Sequence, residues 1–197
     1  MTMLEFPPID PRRLARMGAA AVFLAVALAS SAAGSEQVRD PYVHFFQDTF
    51  GDFTEEIDVA RDEGKKGVVI FFEMHECPFC ERMRESVLNH ADVQDYFREH
   101  FRIFTVDIEG DTDVVDFSGN EMLAKDFAFK VNKVRATPVI AFYDLEGERV
   151  VRFTGAVRSK QEFLWLGEFA VDGYYRETNF TRFKRAKRAM ASEAASQ

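Results

Sequence analysis

The sequence predicts an α/β domain, and three observations carry that prediction. A continuous apolar run, Val68-Val69-Ile70-Phe71-Phe72, is bounded by turn residues and has the β-branched and aromatic content of a strand buried on both faces. Segments of helical period alternate with further apolar runs along the chain, as in a sheet layered with helices. The two cysteines, Cys77 and Cys80, fall where the first strand hands over to the next helix. The order read from these signals is strand, helix, strand, helix, strand, strand, helix.

The N-terminus reads as a targeting segment. Arg12, Arg13 and Arg16 precede thirteen apolar or small residues, 17–29, and Ser30-Ser31-Ala32-Ala33-Gly34 then offers the small side chains of a cleavage site. This is the three-part layout of a secretory signal, expected to be cut near Ala33. Cleavage leaves 22 basic against 31 acidic residues, a net charge of −9. An uncleaved anchor is the other reading, because residues 17–33 carry no charge, seventeen positions at the lower limit of a bilayer span. Arg12-Arg13 also fits a twin-arginine signal, which leaves the export route open. No cysteine lies near the cleavage site, so a lipid anchor on a processed cysteine is excluded. The organisation is then a signal peptide at 1–33, an N-terminal extension at 34–51, the α/β domain at 52–173 and an aromatic, basic tail at 174–197.

Within the domain, residues 52–63 form an amphipathic segment, and Gly64-Lys65-Lys66-Gly67 breaks it before the first strand. Cys77-Pro78-Phe79-Cys80 opens helix-compatible sequence running to about residue 88, with Pro78 suited to the first helical position, where its missing N–H costs nothing. Residues 92–101 repeat apolar side chains at helical spacing through Val93, Tyr96, Phe97 and Phe101, and 103–108 is a strand. A second helix is predicted from about 120 to 131. Pro138 heads the apolar strand 136–143, the permitted place for proline in a sheet. Leu145-Glu146-Gly147-Glu148 is a turn, residues 149–153 return as a hairpin strand, and 159–171 closes with a helix whose stripe includes Phe163, Leu164, Leu166 and Phe169.

Two cysteines at i and i+3 sit one turn apart on a helix face, and Cys77 lies where free N–H groups and the helix dipole stabilise a thiolate. A reachable thiolate beside a resolving thiol is a dithiol exchange device, whereas a structural bridge usually closes a longer loop. Export supplies an oxidising compartment in which such a pair either locks the fold or does redox work. A c-type haem site needs histidine after the second cysteine, and Glu81 stands there. A metal site built on His75 and the two cysteines lacks a second ligand pair. The expectation is exchange chemistry with no metal and no cofactor, against the alternative of a structural disulfide.

A strand delivering Cys-x-x-Cys to a helix N-terminus, then Thr137-Pro138 about sixty residues later before a β-hairpin and a closing helix, resembles the thioredoxin superfamily over about 52–171. The run His75-Glu76-Cys77-Pro78-Phe79-Cys80-Glu81-Arg82-Met83, the Asp107-Ile108 strand end with its acidic insertion and the aromatic tail resemble the exported SoxW-type thioredoxins of the sulfur-oxidation system. The resemblance implies a thioredoxin-like α/β fold, a central mixed sheet flanked by helices. It also implies that Cys77 attacks, Cys80 resolves and Pro138 faces them as a cis-proline. Thr137, Pro78 and Phe79 would then border the bound substrate. The chain departs from cytoplasmic thioredoxin where a buried acid and its lysine would stand, at Phe71 and Thr105, and at Glu76, which replaces a tryptophan. Glu73 is a weak substitute for that acid.

The predicted activity is a periplasmic thiol–disulfide oxidoreductase. Glu76 and Glu81 oppose thiolate formation at the pair and His75 offsets part of this when protonated, a balance that favours a reductase. Its partners would be exported proteins bearing disulfides and a membrane electron carrier of the CcdA or DsbD kind. The alternatives are an oxidase or isomerase, and a binding module with a structural disulfide.

A net charge of −8 argues against nucleic acid as a partner. Glu109, Asp111, Asp113 and Asp116 lack the glycine of a calcium loop, with Thr112 in its place, and read as an acidic surface hairpin. Arg182, Lys184, Arg185, Lys187 and Arg188 read as a solvated basic helix face, with an acidic partner or an anionic lipid surface as the sharper reading. Membrane contact is thus confined to the N-terminal segment or this tail. Tyr174, Tyr175, Phe180 and Phe183 are expected to pack the tail onto the domain.

Overall fold

The computed structural model describes residues 37–195, so the expected signal peptide and its cleavage site lie outside the described residues. The described elements are α1 (Pro41–His44), α2 (Phe53–Asp62), β1 (Gly67–Glu73), α3 (Pro78–Met83), α4 (Ala91–His100), β2 (Phe101–Asp107), β3 (Asp113–Val115), β4 (Glu121–Leu123), α5 (Ala124–Asp126), β5 (Val139–Tyr143), β6 (Arg149–Thr154), α6 (Lys160–Val171) and α7 (Phe180–Ala195). A π-helical turn, Arg84–Leu88, prolongs α3, and another, Phe127–Val131, prolongs α5.

The main sheet runs β2-β1-β5-β6, with β1 parallel to β2 and antiparallel to β5. The unbroken apolar run of β1 follows from its position, because period-2 alternation sends its side chains into two cores. Val69 and Phe71 join Val87, Phe97, Ile140, Phe142 and Phe163 on one face. Val68, Ile70 and Phe72 join Phe53, Ile57, Phe104 and Phe127 on the other. Each such side chain, fully buried, stabilises by about 1.5 to 3 kcal/mol. Gly67 starts the strand at φ +148°, and a Cβ there would lie 1.9 Å from the carbonyl oxygen of Tyr143. Only glycine lets β1 and β5 close at this end.

Side chains cap two of the helices that flank the sheet. Asp52 accepts from the N–H groups of Thr54 and Glu55 at the start of α2, and Ser159 accepts from Glu162 at the start of α6. Upstream of α2, Phe45 and Phe46 enter the core, and Arg39 pairs with Asp95 at 2.6 Å.

The predicted helix at 120–131 is corrected. Residues 121–123 are strand β4, paired with β3, and helix begins only at Ala124. The Asp116 carboxylate explains the difference by accepting from the backbone N–H groups of Ser118 and Asn120 and from the Asn120 side chain, which closes the hairpin tip. Burial opposes ionisation of Asp116, but these donors outweigh it and hold its pKa below the ordinary value.

The tail packs on the domain through Phe183, which is buried with its ring centroid 5.3 Å from that of Phe169. Its basic face is not wholly solvated as the sequence suggested. Lys184 pairs with the buried Glu162, and Lys187 reaches Glu168 at 2.6 Å. Two carboxylates on α6 therefore take up part of the expected surface charge, while Arg182 and Arg185 stay exposed. Among the described residues no helix is long and apolar enough to cross a membrane.

Candidate active site

The site forms where β1 ends and α3 begins. Cys77 is the N-cap of α3, with extended backbone at φ −116° and ψ 93°, and Pro78 follows in the first turn. The Cys77 sulfur accepts the backbone N–H of Cys80 at 3.1 Å and is joined to the Cys80 sulfur in a disulfide. The two cysteines differ in access: Cys77 is 7% exposed and Cys80 is 0% exposed. Pro78 is exposed, and Phe79 between the cysteines is 54% exposed.

Thr137-Pro138 is a cis peptide bond at the head of β5. The Thr137 hydroxyl donates to the Cys77 sulfur at 3.1 Å, and the Pro138 carbonyl accepts from Gly155 N–H at 2.9 Å. All six residues singled out by sequence therefore gather at one end of the sheet. The sequence reading placed Thr137 at the substrate border and missed its hydroxyl contact, because that contact spans sixty positions and has no local signature.

Phe71 and Thr105, where the family's buried acid and lysine would stand, are direct partners across β1 and β2. The pair leaves that spot without an ionisable group. Glu73 lies two residues on, half-buried, and pairs with Arg84 of the π-helical turn after α3. Burial pushes the Glu73 pKa above its ordinary value and the Arg84 guanidinium only partly offsets this. Arg84 also holds Glu81 at 2.7 Å and lies under the Tyr42 ring at 5.5 Å. Sequence reasoning missed Arg84, although its place seven after Cys77 and four after Cys80 puts it on the same helix face. His75 and Glu76 are exposed on the approach to Cys77.

No group of three or more His, Cys, Asp or Glu side chains is placed to hold a metal ion among the described residues. The acidic insertion is tied up otherwise, with Asp111 pairing to Lys125.

A mixed sheet, a cysteine pair at a helix N-terminus and a facing cis-proline define a thiol–disulfide oxidoreductase of thioredoxin-like fold. The chain belongs to the thioredoxin-like domain family, which matches it over residues 53–171. A thioredoxin-fold protein from Helicobacter pylori is 24% identical, with a TM-score of 0.56 over 80% of this chain and 96% of that one. A candidate disulphide-isomerase from Bacteroides thetaiotaomicron is 25% identical, with a TM-score of 0.50 over 64% of this chain and 91% of that one. No curated protein matches the chain in sequence.

Proposed function

We propose that this protein is an exported, periplasmic disulfide reductase of the SoxW-type branch that its motif resembles. The observation that carries the reading is Cys77, a helix-capping sulfur with the only exposed surface of the pair, held opposite Thr137-Pro138. Cys77 thiolate attacks a substrate disulfide and expels one substrate sulfur as thiolate. Cys80 then attacks Cys77, expels the second substrate sulfur and leaves Cys77–Cys80 oxidised. Two electrons and two protons pass from the protein dithiol to the substrate. Pro78, Phe79, Thr137 and Pro138 line the contact for the substrate chain. A membrane carrier of the CcdA or DsbD kind returns the pair to the dithiol.

The direction is supported by charge. Glu76 and Glu81 border the pair in sequence, and negative charge there opposes thiolate formation. Isomerase or oxidase action is the second reading. It is favoured by the two donors on the Cys77 sulfur, which stabilise the reduced form, and by the 25% identity to a candidate isomerase.

The reduction potential of Cys77–Cys80, titrated against a dithiol and followed by thiol alkylation, separates the readings. A value near about −270 mV supports the reductase, one near about −120 mV makes the protein a disulfide donor, and resistance to reduction below about −300 mV marks a structural bridge.

A further inference from the structure

The register places four loops side by side at the active end of the sheet. Glu73 pairs with Asp107, Phe72 with Val139, and Val139 with Thr154, so the ends of β2, β1 and β6 and the start of β5 share one edge. Charge changes sign along this edge. The β2 side carries Asp107, Glu109 and Asp111, whereas the β5–β6 side carries Lys133, Arg135, Arg152 and Arg158, all exposed. Among the described residues none of these four cations pairs with a carboxylate. Arg152 and Lys133 bond only to hydroxyl or carbonyl oxygens, and Arg135 lies over the Phe129 ring at 5.0 Å.

The same pairing recurs across the disulfide, where Arg82 lies over the exposed Phe79 ring at 5.0 Å. Two exposed phenylalanines, Phe79 and Phe129, thus each carry a guanidinium with no acid attached. A chain with a net charge of −8 thus carries exposed cations without a carboxylate partner on the β5–β6 side of the sheet. Glu76 and Glu81 are the opposing charges nearest the pair, and Glu81 is engaged by Arg84.

Resting on the exchange reading above, we propose that the preferred substrate is a disulfide within an acidic segment whose apolar residues meet Phe79 and Phe129. Its carboxylates would pair with Arg82, Arg135 and Arg158 as the segment crosses the β5–β6 side of Cys77. The attraction is local to these cations and acts against the chain's net charge of −8, and the close pairs hold the mixed disulfide in place.

Two peptides of equal length, each with one intramolecular disulfide, are compared as substrates of the reduced protein. One has Glu and the other Lys flanking the cysteines, and bis(2-hydroxyethyl) disulfide serves as neutral reference. At low salt the Glu peptide should react roughly tenfold faster, the scale of two or three exposed ion pairs. The ratio should fall toward one near 1 M salt, where the screening length is about 3 Å. The double variant Arg135→Glu/Arg158→Glu should invert the ratio, and Arg135→Gln/Arg158→Gln should bring it close to one. Equal rates for both peptides, or a ratio unmoved by both variants, overturn the acidic-substrate proposal while exchange itself stands. No reaction with any of the three disulfides overturns the reductase reading and this proposal together.

Discussion

The hydroxyl of Thr137 donates to the sulfur of Cys77 at 3.1 Å, joining the cis-proline turn to the N-cap of α3. In the disulfide the acceptor is neutral, but on reduction it becomes a thiolate and the bond becomes charge-assisted. Thr137 therefore stabilises the reduced protein more than the oxidised one. Thr137→Val should make the couple more reducing by about 30 to 60 mV, the equivalent of a hydrogen bond to a charged group at about 1.5 to 3 kcal/mol. Redox titration against a dithiol measures this, and alkylation of Cys77 at neutral pH should slow in parallel. An unchanged potential would mean that the hydroxyl turns away once the pair is reduced.

Unequal burial assigns the two thiols different duties. Cys80 is 0% exposed and cannot meet a protein substrate, whereas Cys77 has some reach at 7%. Cys80→Ala should accumulate mixed disulfides through Cys77, visible as higher-mass species on non-reducing gels. Cys77→Ala should trap none. If both variants only lost stability, the pair would be a structural bridge.

The Glu73–Arg84 pair makes a pH prediction. Because the folded pKa of Glu73 is raised above its ordinary 4.5, this group contributes stability below that value and loses it as pH rises through the folded pKa. Arg84→Met leaves the charged Glu73 without its cation and raises that pKa further. At pH 7 the loss should be about 2 kcal/mol, discounted from about 3 to 5 kcal/mol for a fully buried pair because both groups keep some water contact. The penalty should shrink as pH falls through the raised pKa and Glu73 is protonated. Urea unfolding of both proteins at pH 7 and pH 4 gives the comparison, and equal penalties at the two values would refute the account.

Most of the sheet was legible because β1 as far as Phe72 and all of β5 are apolar and have glycine or proline at their heads. The cysteine motif was legible because its chemistry is written within four residues. The β3–β4 hairpin was legible only in part: its acidic first limb read as a surface hairpin, but Met122, Leu123, Phe127 and Ala128 carry a helical period that hid the second strand, and the Asp116 carboxylate, folded back on Asn120, breaks it. The partners of Lys184 and Lys187 were not legible, because Glu162 and Glu168 sit on α6 and meet them only after two helices pack. Contacts between distant elements leave no periodic trace in the sequence.

Gly67 sets a steric limit on the sheet. With φ at +148° and a virtual Cβ 1.9 Å from the Tyr143 oxygen, Gly67→Ala must move backbone against backbone. The cost should exceed about 3 kcal/mol, beyond the about 1 to 3 kcal/mol usual for overpacking that side chains can absorb. Gly64, also at positive φ but with nothing within 4 Å of its virtual Cβ, should lose less on the same change. Denaturant midpoints of the two variants check the order.

The seat of α7 distinguishes packing from charge as the force that docks a basic helix. Phe183 is 8% exposed among Phe169, Phe180 and Tyr174, whereas the Lys187–Glu168 pair keeps about 30% of each side chain in water. Phe183→Ala should therefore cost about 3 kcal/mol, the lower end for a buried aromatic, because α7 can partly collapse over the gap. Lys187→Ala should cost less than about 1 kcal/mol and lose even that in high salt. Glu162 is the intermediate case, nearly buried and reached by both Lys184 and Arg188. Its truncation to Ala leaves the part-buried Lys184 without its carboxylate, whereas Arg188, 59% exposed, keeps its water, so the cost should exceed that of Lys187→Ala. If unfolding in low and high salt instead ranked Lys187→Ala above Phe183→Ala, the tail would be docked by electrostatics, and its basic face would be available to an acidic competitor.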